Sequence, residues 1–212
     1  RIANLILLPF AGSTNDVARA LVDRMLAEDS EVLPSVVLTL RQTAGQGRSG
    51  RSWATPEGGV ALSVVMPLPV PGLRVRVPVA LGITLARSLT QRLGAAVRLK
   101  WPNDLLVGGR KAGGLLVVAR PGASPSRGRG SEGVLNVLRA VDDALALDVE
   151  SLDLPEAFAS VSAHAVGDEL TVHAGTGRVA GRFAGVTTDG LLRLSVPGGE
   201  ERLVSGDVVP AG

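Results

Sequence analysis

VRLKWPNDLLVGGRKAGGLLVV, residues 97–118, decides the fold. Val97 to Trp101 predicts a strand, and Pro102 stops it by forcing an extended or turning backbone, which presents Asn103 and Asp104 beyond the strand end. Leu105 to Val107, a Gly108-Gly109 turn and Leu115 to Val118 predict a β-hairpin. Upstream, Val77 to Leu93 is a mostly apolar helix with Gly82 inside it, and Val60 to Met66 and Ser35 to Leu40 are strands. Leu5 to Phe10 is a short apolar run. After it, Ser13-Thr14-Asn15-Asp16 starts a helix, with Ser13 as the cap, Asp16 three residues on, and Val17, Leu21, Val22, Met25 and Leu26 as its apolar face. Gln42 to Gly59 holds five glycines and is too polar for a core, so it predicts a loop. Downstream, Pro121 to Glu132 reads as a surface loop and Val134 to Leu147 as a helix. From about Ala165 the pattern changes to short alternating strands, Glu169 to His173, Gly177 to Val186, Leu191 to Val196 and Glu201 to Val204, which predict a small β-barrel. The class is α+β, with one larger domain at residues 1–163 and the barrel at 164–212.

A chain of 212 residues, 45% hydrophobic, can bury a sizeable core. No apolar run reaches the roughly 18 to 20 residues that span a bilayer, and the start lacks the basic-then-apolar order of a secretory signal, so a cytoplasmic protein with no membrane partner is expected. The absence of cysteine excludes disulfides, thiolate nucleophiles and cysteine-ligated zinc. Two histidines, His164 and His173, cannot alone build the usual metal sites. A formal charge of +2 argues against a nucleic-acid partner, and the barrel has no aromatic but Phe183 on which bases could stack. The basic residues are 20 arginines and only two lysines, Lys100 and Lys111. An ammonium is a compact point charge and a guanidinium a rigid fork, so lysines kept in so arginine-biased a chain are candidates for work that arginine cannot do.

Three stretches carry chemistry. Gln42-Thr43-Ala44-Gly45-Gln46-Gly47-Arg48-Ser49-Gly50-Arg51-Ser52-Trp53 spaces its glycines so that backbone N–H groups can converge on an anion, with Arg48 and Arg51 supplying charge where phosphate oxygens would sit. The plain alternative is a glycine-rich hairpin with solvated arginines. Lys100-Trp101-Pro102-Asn103-Asp104 puts polar groups at a strand end, or else forms a structural turn in which Asn103 or Asp104 bonds its own backbone. Arg110-Lys111-Ala112-Gly113-Gly114 joins a cation to small residues that let a ligand approach the backbone, or is a tight turn with a surface lysine.

Taken together and in this order, with Ser13-Thr14-Asn15 upstream, these stretches resemble biotin protein ligases. The likeness runs from about Leu5 to Val118 and returns at the C-terminal barrel. It implies a catalytic domain related to class II aminoacyl-tRNA synthetases, of the biotin-lipoate ligase kind, followed by an SH3-like barrel. With only a dozen residues before Ser13, the short form without an N-terminal DNA-binding domain is expected. The resemblance puts Ser13, Thr14, Asn15 and Gln42 against the biotin ureido ring. Gln46, Gly47 and Arg48 fall on a loop that orders over biotin and the adenylate, with Trp53 just after it. Lys111 contacts the biotin carboxylate and the transferring phosphate, beside Gly114, and is with Arg48 the catalytic pair. Arg48, Arg51, Trp53, Lys100, Asn103 and Asp104 belong to the ATP and adenylate side.

The implied reaction uses biotin and ATP as substrates with Mg2+, to which Asp104 is the only weak protein ligand. The acceptor is a biotin carboxyl carrier domain, and the enzyme is a monomer or homodimer. Attack of a carboxylate on the α-phosphate joins two anions, so cations must hold the approach and the leaving pyrophosphate. The product is a mixed anhydride that water hydrolyses, so a closing loop must cover it. Family members usually carry Gly-Arg-Gly-Arg where this chain has Gly45-Gln46-Gly47-Arg48, an acidic residue where it has Val118, and a Gly-Ile-Gly-Ile-Asn strand of which Ser131 to Val137 is at best a remnant. Two neighbouring readings are a lipoyl or octanoyl transferase of the same fold, indifferent to biotin, and a non-catalytic biotin-binding module, which would release no pyrophosphate.

Overall fold

In the computed structural model, residues 2–66, 75–118 and 151–210 are described, and they form a mixed α+β structure. The loop expected at Pro121 to Glu132, the helix at Val134 to Leu147 and the remnant at Ser131 to Val137 lie outside the described residues. Among those described, packing makes two compact units, residues 2–66 and residues 75–117 with 151–210.

The first unit is built on a strand, helix, strand succession. Strand β1 (Asn4–Leu8) pairs parallel with β2 (Ser35–Thr39), which pairs antiparallel with β5 (Ala61–Val65). All five residues of β2 are buried, as a central strand with both faces covered requires. Helix α1 (Thr14–Ala27) lays Ala18 and Val22, flanked by Val17 and Met25, against Ile6, Leu8, Val37 and Val65. Leu26, expected on that face, is 40% exposed. Ser13 occupies the cap position in extended backbone, but its side chain makes no capping hydrogen bond. Residues 42–59, expected as plain loop, contain a two-residue hairpin, β3 (Gly45–Gln46) with β4 (Ser52–Trp53).

The second unit begins with α2 (Arg76–Leu93), closed by Gly94 in the left-handed region, its N–H on Thr90 O at 3.1 Å. Gly82 is there for proximity: a Cβ would fall 2.8 Å from a Leu99 methyl. A meander follows, β6 (Val97–Lys100), β7 (Asp104–Val107) and β8 (Arg110–Gly114). The return strand is therefore Arg110 to Gly114, not Leu115 to Val118. Gly108 and Gly109 both have positive φ, 56° and 74°, the geometry of a two-residue primed turn, so pairing resumes immediately after them.

A helix that the hydrophobic pattern did not predict, α3 (Leu154–Val161), is capped by Asp153, whose carboxylate accepts the Glu156 N–H at 3.2 Å. The alternating strands form one antiparallel sheet in the order β12-β11-β10-β9-β13: β9 (Glu169–Ala174), β10 (Gly177–Val186), β11 (Leu192–Val196), β12 (Gly199–Leu203) and β13 (Asp207–Pro210). Strand β12 starts two residues before expectation, and β13 is an added edge strand. Val79 and Ile83 of α2, Leu99, Trp101, Leu154, Phe158, Leu170, Phe183 and Leu194 share one core. Trp101 is 1% exposed and donates its indole N–H to Gly190 O at 3.0 Å, so the tryptophan of the second motif serves the core. Among the described residues no helix is long and apolar enough to cross a membrane.

Candidate active site

In the first unit, the chain leaving β2 runs beside the chain entering α1. Ala11 bridges Gln42, Thr43 N–H donates to Ala11 O at 3.0 Å and Ala44 N–H to Gly12 O at 2.6 Å. This zipper carries Gln42 over the first turn of α1. Its Oε1 accepts the Thr14 backbone N–H at 2.9 Å, and Thr14 Oγ1 lies 3.3 Å from it. The first helical amide, one of the donors that a helix start leaves without a partner in the helix, is thus satisfied from 28 residues away. Ser13 and Thr14 are buried and Asn15 is half-buried. Of the expected ureido-ring group, then, Thr14, Asn15 and Gln42 are brought together, and Ser13 is buried at the cap position beside Thr14.

One residue of this group was not foreseen. Ser63, in the middle of β5 and 7% exposed, places its hydroxyl 2.9 Å from Thr14 Oγ1 and 2.8 Å from Asn15 Oδ1. The sequence does hold a signal: Ala61, Ser63 and Val65 are the inward positions of the strand, and a serine there needs a polar partner.

The glycine-rich stretch folds back on itself. Gly45 pairs with Trp53 and Gln46 with Ser52, and the tip, Arg48 to Gly50, is a single tight turn in which Ser49 (φ 55°) and Gly50 (φ 74°) are left-handed. A Cβ on Gly45 would collide with the Gln42 carboxamide and the Trp53 carbonyl, so glycine is required there by contact. Gly47 N–H donates to Arg51 O at 2.7 Å, so this amide, expected to be open to an anion, closes the hairpin instead. Arg51 is exposed, while Gly47, Arg48 and Trp53 are half-buried. Gln46 donates from Nε2 to both Asp16 carboxylate oxygens at 3.1 Å and accepts from Arg19 Nη2 at 3.1 Å. Arg19 pairs in turn with Asp16 at 2.8 Å. The hairpin is clasped to α1 by this three-residue network, for which no short-range pattern exists.

In the second unit, Lys111 on β8 reaches back to Asp104 at the start of β7, Nζ to Oδ1 at 2.8 Å, and Lys100 stands across from Asp104 in the β6 ladder. Gly114 pairs with Asp104 on the other side. Asn103 clasps the chain after β8: its Nδ2 donates to Leu115 O at 3.0 Å and its own carbonyl accepts Leu115 N–H at 2.9 Å. Both chain lysines, one carboxylate and one carboxamide thus gather at one end of the meander. The set suits an anionic ligand, since Asp104 neutralises one ammonium and leaves the cluster with net positive charge. Among the described residues no three histidine or acidic side chains converge as metal ligands. Asp104 is ion-paired to Lys111, so the donors present do not fit a protein-held metal.

Residues 8–137 match the profile of the biotin/lipoate A/B protein ligase family. The chain is 36% identical over 117 residues to the bifunctional ligase/repressor BirA of Salmonella typhimurium, across 54% of this chain and 34% of that protein. It is 28% identical over 214 residues to the biotin–acetyl-CoA-carboxylase ligase of Paracoccus denitrificans, across 81% of this chain and 88% of that one. Its fold is similar to that of a biotin protein ligase from Aquifex aeolicus in complex with biotin and ATP, with a TM-score of 0.75 at 21% identity over 99% of this chain and 100% of that chain. The chain spans about a third of the length of the ligase/repressor proteins it matches.

Proposed function

Because the chain belongs to the biotin/lipoate A/B protein ligase family, we propose that it is an ATP-dependent biotin protein ligase. The observation that carries this reading is the linked group of the buried hydroxyls of Thr14 and Ser63 and the half-buried carboxamides of Asn15 and Gln42, a neutral array of donors and acceptors suited to a cyclic urea, beside a hairpin carrying Arg48 and Arg51.

The biotin carboxylate attacks the α-phosphorus of ATP, a P–O bond forms, and pyrophosphate leaves with the electron pair of the broken bond. Lys111 neutralises the carboxylate and the phosphate it approaches, while Arg48 and Arg51 offset the growing charge of the phosphates. Lys100, Asn103 and Trp53 serve the nucleotide side. Mg2+ arrives with ATP as part of the substrate. In the second step the amine of a carrier lysine attacks the acyl carbonyl, AMP leaves, and the nitrogen loses a proton to give the amide. Gln42 to Trp53 is the lid that excludes water from the adenylate between the two steps. In this reading residues 1–163 are the catalytic domain, akin to class II synthetases, and residues 164–212 an SH3-like domain that assists carrier docking. The enzyme works in the cytoplasm on a carboxyl carrier domain of a biotin-dependent carboxylase.

The test is transfer: labelled biotin, ATP and a purified carrier domain are mixed with the protein, and the modified lysine is mapped by mass spectrometry. One labelled carrier lysine is the expected result. No label under conditions where a known ligase labels the same carrier would overturn the proposal.

A further inference from the structure

Ser63 is buried against the proposed biotin contacts Thr14 and Asn15, and the direction of its hydroxyl proton can be worked out. Its oxygen lies 2.8 Å from Asn15 Oδ1 and 2.9 Å from Thr14 Oγ1, and it has one proton to give. A carboxamide oxygen can only accept, so that proton goes to Asn15, and the Thr14 hydroxyl must donate to Ser63. Gln42 Oε1 then keeps the Thr14 backbone N–H, at 2.9 Å, and the contact left without a proton is the longest of the set, Thr14 Oγ1 to Gln42 Oε1 at 3.3 Å.

The consequence falls on Asn15. With Oδ1 turned inward to Ser63, its Nδ2 is on the opposite branch of the carboxamide and faces away as a donor. We propose that Ser63 is a positioning residue that sets specificity, by holding Asn15 so that it offers N–H rather than C=O to a carbonyl oxygen on the ligand, the urea oxygen of biotin. A dithiolane ring has no such acceptor and gains nothing from the arrangement. The inference rests on the biotin ligase reading and deepens it.

The backbone around Ser63 makes this an anchor of fixed position. Ser63 pairs with Val37 in the centre of the β2–β5 ladder, so its hydroxyl is held by the sheet, whereas Thr14 and Asn15 sit in the first turn of α1. A buried hydroxyl bonded on two sides tolerates little rotation, because turning away would leave the Asn15 carboxamide oxygen without its donor.

The experiment is a double-mutant cycle on the full chain, with Ser63→Ala, Asn15→Ala and the pair, read as biotin-dependent pyrophosphate exchange into ATP. Wild-type exchange with biotin establishes the reading on which the inference rests, and its absence overturns both. Given wild-type activity, Ser63→Ala is expected to raise KM for biotin about tenfold, with kcat within about twofold, as the loss of the hydrogen bond that orients Asn15 predicts. The double variant should be no worse than Asn15→Ala alone, and discrimination against lipoate should narrow in Ser63→Ala. A KM for biotin unchanged in Ser63→Ala overturns the proposal, as do fully additive losses with a matching fall in melting temperature, which would mark Ser63 as a packing residue.

Discussion

Gln46 joins the glycine-rich hairpin to α1, and replacing it tests what that link does. Its carboxamide makes three contacts of 3.1 Å, two to Asp16 and one from Arg19, all at the surface. The side chains of Arg19 and Asp16 are 39% and 53% exposed, so solvent screens the network and each contact contributes about 0.5 kcal/mol. Together they favour the docked hairpin by about 1.5 kcal/mol, a factor of roughly ten in its closing equilibrium. In Gln46→Ala the lid should therefore open about tenfold more often, and the adenylate should escape faster in proportion. The assay preforms labelled biotinyl adenylate without acceptor, chases with unlabelled biotin, and follows release of label by rapid filtration. Arg19→Ala should reproduce most of the effect, and the two together should not add. Release at the wild-type rate in Gln46→Ala, with an unchanged melting temperature, would refute the clasp.

Lys111→Ala should lower pyrophosphate exchange by at least about 100-fold, as loss of a charge stabiliser does, while stability falls by less than about 1 kcal/mol because the Lys111 side chain is 45% exposed; stopped-flow kinetics and thermal melts measure the two. Gly45→Ala should push the Trp53 carbonyl and the Gln42 carboxamide apart, and hydrogen exchange should then show the Gly47 amide losing protection, whereas a protected Gly47 would contradict the contact. Burial holds His164 below its usual 6.5, aided by the Lys100 charge and opposed by Asp168, and its Nε2 has no hydrogen-bond partner. The folded chain therefore binds that proton less readily than the unfolded one, so stability is full above about pH 6.5 and falls as pH drops toward the depressed value. His164→Phe should flatten that part of a melting-temperature profile, and an identical profile would contradict the burial argument.

Elements with long apolar periodicity were legible in the sequence: α2, and β2 with its continuous Val-Val-Leu run, needed only local pattern. The meander was half legible. The apolar Leu115 to Val118 outweighed Arg110 to Gly114, although Gly108-Gly109 carries the decisive information, since a primed two-residue turn must resume pairing at once. Helix α3 was signalled by Asp153, Pro155 and Glu156, a cap, an N-terminal proline and an acidic third residue, but its eight residues are too few for periodicity to register. Edge strand β13 is four residues long and ends on Pro210, so neither length nor alternation marks it. In the site, residue types and order pointed to Asn15, Gln42, Arg48 and Lys111. The partners that orient Asn15 and Gln42 come from 48 and 28 residues away, and no window of sequence contains Ser63 with Thr14 or Gln46 with Arg19.

The central claim is that this chain activates biotin as an adenylate, and the most direct measurement is exchange of labelled pyrophosphate into ATP, with biotin in one tube and lipoate in another. It isolates the first half-reaction and needs no acceptor. Exchange that depends on biotin and is absent with lipoate is the predicted result. Exchange with neither acid, in protein shown to be folded by circular dichroism and to bind biotin by calorimetry, would contradict it and make the chain a biotin-binding module.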